Sequence, residues 1–206
     1  MKFNIITIFP EIFNSYFNES IIKRAQEKKL VNIKIHNLRD FTDDKRKTVD
    51  DSPYGGGPGM VMMAEPILRV VNKIKKDKAK VILFSLRGKK LDQKMAKRFS
   101  KLDQLIMICG RYEGVDERVA KYIVDEEVSI GDYVLTGGEI PAMIVVDAVS
   151  RFIPGVLGKH ESLEEIKGSY PVYTRPESII INKKKRVVPE VLLSGDHKKI
   201  EEWRKK

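Results

Sequence analysis

Val128-Ser129-Ile130-Gly131-Asp132-Tyr133-Val134-Leu135-Thr136-Gly137-Gly138-Glu139 is the run around which the rest of the chain is arranged. A strand-like apolar piece lies between its glycines, and a helix-like segment begins near Pro141. Glycines allow close backbone approach and positive φ, which a main chain needs where it wraps a flat or extended ligand. A cofactor loop and a tight turn between a buried strand and a helix are equally supported by this run alone.

Apolar runs on either side of this stretch alternate with helical patterns. The apolar strand-like runs are residues 4–9, 81–84 and 105–109, and the helical patterns lie at 11–25, 67–74, 91–102 and 142–153. Residues 31–35 alternate apolar and polar side chains, which predicts a strand with one face in solvent. Runs that are apolar on both faces and separated by helices are typical of a parallel sheet covered on two sides. The sequence therefore predicts an α/β fold. Because residues 142–153 are apolar nearly all round, this helix is predicted to be buried in the fold or in an oligomer interface.

Three junctions follow predicted strands, at Ser85–Gly88, Gly110–Arg118 and Gly131–Glu139. In open α/β sheets, ligands bind beyond the carboxyl ends of the strands, where such junctions meet. The middle junction combines glycine, an aromatic residue and both signs of charge within ten residues. This chemistry exceeds what a structural turn needs and favours a site.

Residues 39–60 form a charged, glycine-rich loop. A connection of this length inside a compact domain is usually functional or disordered, and Phe41, Val49, Tyr54 and Met60 are predicted to anchor it. The loop is not a P-loop, because no Gly-Lys-Ser/Thr follows, and no strand directly precedes it as a dinucleotide fingerprint requires.

Composition places the chain among globular proteins. Its 206 residues are 42% apolar, and no apolar run approaches the ~20 residues of a membrane-spanning helix, so we expect a cytoplasmic protein without a membrane partner. The single cysteine, Cys109, excludes an internal disulfide, and with three scattered histidines it gives no zinc-binding spacing, so no metal ligand is assigned. Cys109 ends an apolar run and is interpreted as a buried hydrophobe rather than a catalytic thiol.

The net charge of +10 indicates a polyanionic partner. Residues 183–206 hold nine Lys/Arg against four acidic residues, which gives +5, half of the total. Such clustering is typical of nucleic-acid binding, and the alternative is a solvated lysine-rich surface.

Several motifs together resemble the bacterial tRNA (guanine-N1)-methyltransferase family, which modifies the guanosine directly 3′ of the anticodon (tRNA position 37). They run through nearly the whole chain in the family's order. The matching segments are Phe9–Glu11, Asp50-Asp51 with Pro53–Met60, Cys109–Arg118, Ser129–Leu135, Gly137–Glu139, Arg151–Gly155, Tyr173–Pro176 and Pro189–Gly195.

The resemblance implies a parallel sheet flanked by helices with a deep trefoil knot, of the SPOUT class, in an obligate homodimer whose active site lies at the subunit interface. It implies S-adenosyl-L-methionine as methyl donor, leaves Mg²⁺ open as a second cofactor, and implies tRNA as partner. The corresponding domains are a methyltransferase domain at 1–158, a linker at 159–172 and a tRNA-binding region at 173–206. This last region is basic, and it is short because most of the family's C-terminal helical domain is missing, so we expect reduced tRNA affinity.

Site residues follow from the same resemblance. The residues placed around the cofactor are Leu86, Gly110, Ile130, Gly131, Asp132, Tyr133, Val134, Leu135, Gly137 and Gly138. Those placed at the tRNA are Asp50, Tyr54, Gly55, Gly56, Gly57 and Arg175. Catalytic roles fall on Arg151 and Glu113.

The chemistry supports an acid and an arginine. Guanine N1 carries a proton, so its methylation needs a base to remove that proton and a group that stabilises charge developing on the neighbouring carbonyl oxygen. The family's catalytic aspartate lies in the linker, which is shortened here. Glu165 is the nearest acid and is assigned as the base.

Two further departures concern the loops. Ser85-Leu86-Arg87-Gly88 stands where the family usually has Ser-Pro-Gln-Gly, and Arg46 replaces a histidine common in the first loop. Two alternatives to an active enzyme are a catalytically impaired tRNA-binding dimer that keeps the cofactor fold and a related knotted RNA methyltransferase with another target atom.

Overall fold

The computed structural model describes residues 1–158 and 170–205. The chain forms two compact units, Met1–Gly158 and Lys159–Lys206. The strands of the first unit are β1 (Lys2–Thr7), β2 (Asn32–Asn37), β3 (Asp50–Asp51), β4 (Val61–Met62), β5 (Ala79–Lys90), β6 (Gln104–Ile108) and β7 (Glu126–Ser129). Five of them form one sheet in the order β2-β1-β6-β5-β7. Every pair in it is parallel, so the predicted parallel sheet is confirmed.

Helices connect these strands and cover the sheet. They are α1 (Asn14–Phe17), α2 (Ser20–Glu27), α3 (Ala64–Ile74), α4 (Gln93–Phe99), α5 (Glu117–Tyr122) and α6 (Glu139–Ser150), with 3-10 turns at Pro10–Phe13 and Leu38–Phe41. Asp92 caps α4 by accepting from the Met95 amide at 2.7 Å. This cap satisfies an amide of the first turn that has no partner within the helix.

Two hydrophobic cores lie on opposite faces of the sheet. Alternate residues of one strand point to opposite faces, so Phe3 and Ile5 of β1 join one core and Ile6 joins the other. The first core includes the buried side of α6, and the second includes the buried side of α3. This double burial explains why β1 and β6 carry apolar residues on both faces, with Asn4, Thr7 and Gln104 as buried polar exceptions.

A bulge interrupts β5. Phe84 and Lys89 both pair with Val128 of β7, so residues 85–88 bulge out between them. Gly88 lies against the β7 backbone, where a Cβ would come within 2.5 Å of the Val128 nitrogen. The strand predicted at 81–84 therefore resumes after the predicted junction.

Two expectations about strands and anchors are wrong. The apolar piece between Gly131 and Gly137 is not a strand; the strand lies earlier, at Glu126–Ser129, where Glu126 pairs with Lys80 and Arg98 and Glu127 pairs with Arg87. Tyr54 is not an anchor of the glycine-rich loop, since its side chain is fully exposed, whereas Val49 is buried as predicted.

Within residues 170–205, the second unit forms a short hairpin and two helices. β8 (Ser178–Ile181) and β9 (Lys184–Val187) pair antiparallel, and α7 (Glu190–Leu193) and α8 (His197–Arg204) follow. Asn182 and Lys183 form the turn with φ of 56° and 59°, the left-handed conformation that two-residue hairpin turns require. The tilted rings of Tyr173 and Trp203, 6.2 Å apart, link the start of the unit to α8.

No helix within residues 1–158 and 170–205 is long and apolar enough to cross a membrane. The same part of the chain holds no group of three or more His, Cys, Asp or Glu side chains suited to a metal ion.

The contact between Gly88 and β7 gives the first prediction. Gly88→Ala should lower the free energy of unfolding by ~2 kcal/mol, because the new methyl group must push two paired backbones apart. Urea unfolding measures this change. The control is Gly158→Ala, where a Cβ would meet nothing within 4 Å. Equal stability of the two variants would contradict the close approach.

Candidate active site

A cavity of about 500 Å³ lies beside the bulge of β5 and at the carboxyl ends of β6 and β7. All three junctions identified in the sequence contribute to it, so their predicted convergence is confirmed. The lining residues on which the site's description depends are Leu86, Arg87, Gly110, Arg111, Glu113, Glu117, Glu127, Ile130, Gly131, Tyr133, Val134, Leu135, Thr136, Gly137 and Gly138. The volume lies within the range of small-molecule and cofactor sites.

Arg87 holds the bulge of β5 in place at the edge of the cavity. Its Nη2 lies 2.5 Å from Glu117 at the start of α5, and its Nε lies 3.0 Å from Glu127 of β7. These carboxylates raise the pKa of the Arg87 guanidinium. The departure at Ser85–Gly88 thus has a structural consequence: ion pairs across the loop fix the bulge.

The middle junction runs beside the end of the glycine-rich loop. Met62 donates its amide to the Gly114 carbonyl at 2.9 Å, and the Glu113 amide donates to the Met60 carbonyl at 3.0 Å. Gly59 has a φ of +75°, and a Cβ there would come within 2.5 Å of the Glu113 carboxylate. The structure therefore brings Glu113 against the glycine-rich loop, where only glycine fits.

The predicted tRNA-binding residues of the glycine-rich loop lie outside the cavity lining. Asp50 belongs to β3, which pairs with β4 through Met62, one strand further from the cavity than Gly114. Tyr54 is fully exposed, and Gly55, Gly56 and Gly57 all have positive φ. They form a solvent-exposed turn that presents an aromatic ring.

The third junction folds back on itself directly after β7. The Ser129 hydroxyl accepts from the Gly131 amide at 3.2 Å, and the Tyr133 hydroxyl donates to the Ile130 carbonyl at 3.2 Å. A Cβ on Gly131 would overlap the Tyr133 ring. Glycine at this position is needed for contact within the loop itself.

Gly137 and Gly138 are required by the packing of the loop against the protein. A Cβ on Gly138 would come within 2.5 Å of the Cys109 Cα, and the Gly138 amide donates to the Gly110 carbonyl at 3.0 Å. A Cβ on Gly137 would overlap the Arg111 guanidinium. Glycine is therefore required at both positions by close contacts within the chain, with Arg111 at Gly137 and with Cys109 at Gly138.

Glu139 is a buried carboxylate beside this loop. It is 1% exposed, and it accepts from the Thr7 hydroxyl at 2.7 Å and from the Arg111 Nε at 2.9 Å. Arg111 also donates from Nη1 to the Thr136 carbonyl at 3.2 Å, and its guanidinium lies 4.8 Å from the centre of the Phe9 ring. These contacts join the end of β1, the loop after β6 and the start of α6.

Cys109 is fully buried between these elements. Burial raises the pKa of its thiol well above the ordinary value, and the charge of Glu139 raises it further. The thiol therefore stays protonated at neutral pH, and its interpretation as a buried hydrophobe is confirmed.

The predicted cofactor residues are brought together with one exception. Nine of them line the cavity, whereas Asp132 is exposed and forms an ion pair with Lys90. Of the predicted catalytic residues, Glu113 lines the cavity. Glu165 lies outside the described residues, and Arg175 belongs to the second unit.

Arg151 lies away from the cavity of its own chain. It directly follows α6, whose first residue, Glu139, adjoins the cavity lining. The twelve residues of this helix span ~18 Å. One chain therefore places Arg151 and the cavity at opposite ends of α6.

An apolar surface runs along α6 and the segment after β1. Phe9, Ile12, Tyr16, Ile140 and Ile144 are all more than one third exposed, and we call them the α6 surface. Tyr16 donates a hydrogen bond to Asp147. Burial, together with this hydrogen bond, raises the pKa of Tyr16 to about 12, so the phenol remains protonated at neutral pH.

Sequence reasoning did not single out several cavity residues. Arg111 and Glu117 fell within the middle junction without a role, and Glu127 lay outside the three junctions. The sequence does contain a pattern that could have indicated a role for Arg111. The glycines at 137 and 138 leave space for a large side chain, and Glu139 directly after them provides a carboxylate that can pair with a cation.

Comparison with known proteins finds one family whose sequences match the whole length of this chain. The protein-family model described as tRNA (Guanine-1)-methyltransferase TrmD matches residues 1–206. Three relatives carry the name tRNA (guanine-N(1)-)-methyltransferase. That of Dictyoglomus turgidum is 56% identical, covering 100% of this chain and 84% of the relative. That of Carboxydothermus hydrogenoformans is 54% identical, covering 100% and 82%. That of Clostridioides difficile is 51% identical, covering 100% and 91%. These matches extend over the glycine-rich loop, all three cavity junctions and the second unit, and the chain belongs to the tRNA (guanine-1)-methyltransferase family.

Proposed function

We propose that the chain methylates N1 of the guanosine directly 3′ of the anticodon, with S-adenosyl-L-methionine as methyl donor. The observation that carries this proposal is the cavity beside the bulge of β5 and at the ends of β6 and β7, formed by the segments that resemble the family's motifs. The match to the family over residues 1–206 supports the same reaction.

The cavity suits the methyl donor in size and chemistry. Leu86, Tyr133 and Val134 line it and are each more than half exposed, so they offer apolar surface to an adenine ring. Glu113 supplies negative charge for the sulfonium and ammonium groups, whereas Glu117 and Glu127 are paired with Arg87. When bound, the donor supplies an electrophilic methyl group.

The loop that follows β7 is proposed to be part of the knot that the family implies. The chain leaves the edge strand β7 at Ser129, and by Gly138 it is hydrogen-bonded to Gly110 at the end of β6. Because β5 lies between β7 and β6, this path crosses the end of β5. We infer that residues 130–138 are the knotted cofactor loop implied by the family.

Substrate guanine would meet groups from several parts of the chain. Tyr54 presents a fully exposed ring, and stacking on aromatic rings is a common way to hold an unstacked RNA base. Asp50 lies in the same loop and is proposed to contact the guanine. A carboxylate near N1 removes its proton, and an arginine stabilises charge on the neighbouring oxygen.

The second unit is proposed to contact the tRNA backbone. Lys183, Lys184, Lys185 and Arg186 form a continuous cationic run through the hairpin turn and β9. Phosphate contacts of this kind hold the protein in register without reading sequence. Arg175 lies before the hairpin and is assigned to the same surface.

A homodimer would complete the site. The α6 surface is apolar and exposed, and Arg151 lies at the end of α6 away from the cavity. A twofold axis perpendicular to α6 and passing beside its middle would pack two copies of the helix antiparallel. The Arg151 end of one copy would then lie near the cavity end of the other. We propose that each active site takes its cavity from one subunit and Arg151 from the partner.

The reaction itself is the first test of this function. Purified protein with S-adenosyl-L-methionine, Mg²⁺ and a tRNA transcript carrying G after the anticodon should form N1-methylguanosine, detected by nuclease digestion and mass spectrometry. A transcript with A at that position is the control. Binding of the donor without turnover would favour the impaired tRNA-binding dimer, and methylation at another atom would favour the related methyltransferase.

The shared site is tested by mixing two inactive variants. Arg151→Ala should lower kcat by about 10²–10³, because it removes charge stabilisation in the transition state. Val134→Arg should block the cavity. Co-expressed subunits should recover about a quarter of wild-type activity, since half of randomly formed dimers are mixed and each has one complete site. Failure to recover activity would place Arg151 in its own chain's site.

Glu165 is tested by substitution. If it is the base, Glu165→Ala should lower kcat by about 10²-fold while the affinity for the donor is unchanged, because general base catalysis contributes at least that much. The neighbouring Glu164→Ala is the matched control. Unchanged turnover of the Glu165 variant would remove this residue from the mechanism.

A further inference from the structure

Glu139 has no assigned role in the proposed reaction, although it is the most buried acidic side chain in the first unit. Its side chain is 2% exposed, and both carboxylate oxygens are engaged. A charge removed from water is costly unless partners compensate it. Such a residue at the first position of a helix beside a cavity therefore calls for a physical reason.

The hydrogen bonds around Glu139 require an acceptor. The Thr7 hydroxyl already accepts from the Phe9 amide at 2.9 Å, and it donates its single proton to Glu139. Arg111 can only donate. Two donors therefore point at one carboxylate, and the start of α6 adds the favourable field of a helix N-terminus.

Arg111 transmits this arrangement to the cavity. Its Nε is held by Glu139, its Nη1 holds the Thr136 carbonyl, and its guanidinium lies over Gly137. Arg111, Thr136 and Gly137 all line the cavity, whereas Glu139 is not among the lining residues. The carboxylate that holds Nε is therefore connected, through the Arg111 guanidinium, to the carbonyl of Thr136 in the cavity wall.

We infer that Glu139 is a positioning residue for cofactor binding, acting through Arg111 to fix the cavity wall at Thr136–Gly138. This inference rests on the proposed function, because it takes S-adenosyl-L-methionine as the ligand of the cavity. It assigns no proton transfer to Glu139. The role is to select one orientation of Arg111.

The test measures cofactor affinity and stability separately. Glu139→Gln keeps the shape of the side chain, but it removes the charge and replaces one acceptor oxygen with an NH₂ donor. If the amide oxygen faces Arg111, the hydrogen bond loses its charge; if the NH₂ group faces Arg111, two donors meet. We expect the Kd for S-adenosylhomocysteine, measured by calorimetry without tRNA, to rise about tenfold, because a hydrogen bond to a charged group contributes that much. The KM for the methyl donor should rise in parallel, with kcat changed less.

A matched control separates positioning from general destabilisation. Glu126 is also a largely buried carboxylate paired with an arginine, accepting from Arg98 at 2.8 and 2.9 Å, and it does not line the cavity. Glu126→Gln should lower Tm while the Kd stays within about twofold of wild type. If Glu139→Gln lowers Tm without changing the Kd, the inference is overturned.

A double-mutant cycle identifies the route. If Glu139 acts through Arg111, the Kd of Arg111→Gln should be the same within about twofold with or without Glu139→Gln. Additive losses would overturn the inference. Should Glu139→Gln fail to fold, Arg111→Lys keeps the charge without the Nε–H group. An unchanged Kd in that variant would overturn the inference as well.

Failure of the proposed function has a different signature. If wild-type protein binds neither S-adenosylmethionine nor S-adenosylhomocysteine, the proposed cofactor is wrong and this inference falls with it. If wild-type protein binds and Glu139→Gln binds equally well, only the inference about Glu139 is lost.

Discussion

Gly138 lies so close to the backbone of Cys109 that no side chain fits between them. Its amide donates to Gly110 at 3.0 Å, and a Cβ would come within 2.5 Å of the Cys109 Cα. This contact fixes where the loop that leaves β7 returns to the end of β6. Because α6 begins at the next residue, the same contact sets the position of the helix, the first hydrophobic core and Glu139. The cavity lies beside this contact, and Gly110, Gly137 and Gly138 line it.

Buried and exposed ion pairs have different consequences around the cavity. The Arg87 guanidinium, its side chain 58% exposed, pairs with Glu117 and Glu127, and exposed pairs contribute little to stability because water and salt screen them. The Arg111–Glu139 pair is mostly shielded from solvent. A buried pair is weak evidence for added stability, since desolvation offsets the attraction. Its effect is to exclude other arrangements, because any of them would leave a charge without a partner.

The sheet could be predicted from sequence because its signal is local. β1 and β6 contribute alternate residues to two cores, so apolar residues stand at both odd and even positions of each strand. The junctions after β5 and β6 follow from the strands that precede them. The extent of β7 was harder to predict because its two acids are paired with residues distant in sequence, Glu126 with Lys80 and Arg98 and Glu127 with Arg87. The apolar Tyr133–Leu135 suggested a strand, although these side chains line a cavity instead. The β8–β9 hairpin was missed because lysines mask its alternation.

The catalytic half of the site was less accessible to sequence reasoning for a related reason. Motif residues can be assigned one by one, yet their distances depend on where helices begin and end. Here the full length of α6 separates Arg151 from the cavity. Residues that resemble the motifs of one family are therefore not all neighbours within one chain. Under the proposed dimer, the contacts that bind the cofactor lie within a subunit, while the charge that stabilises the transition state comes from its partner. Cofactor affinity should then depend on the contact of Gly138 with Cys109 and on Arg111. Methyl transfer should depend in addition on the α6 surface. Cofactor binding and catalysis are therefore separable physical properties of this fold.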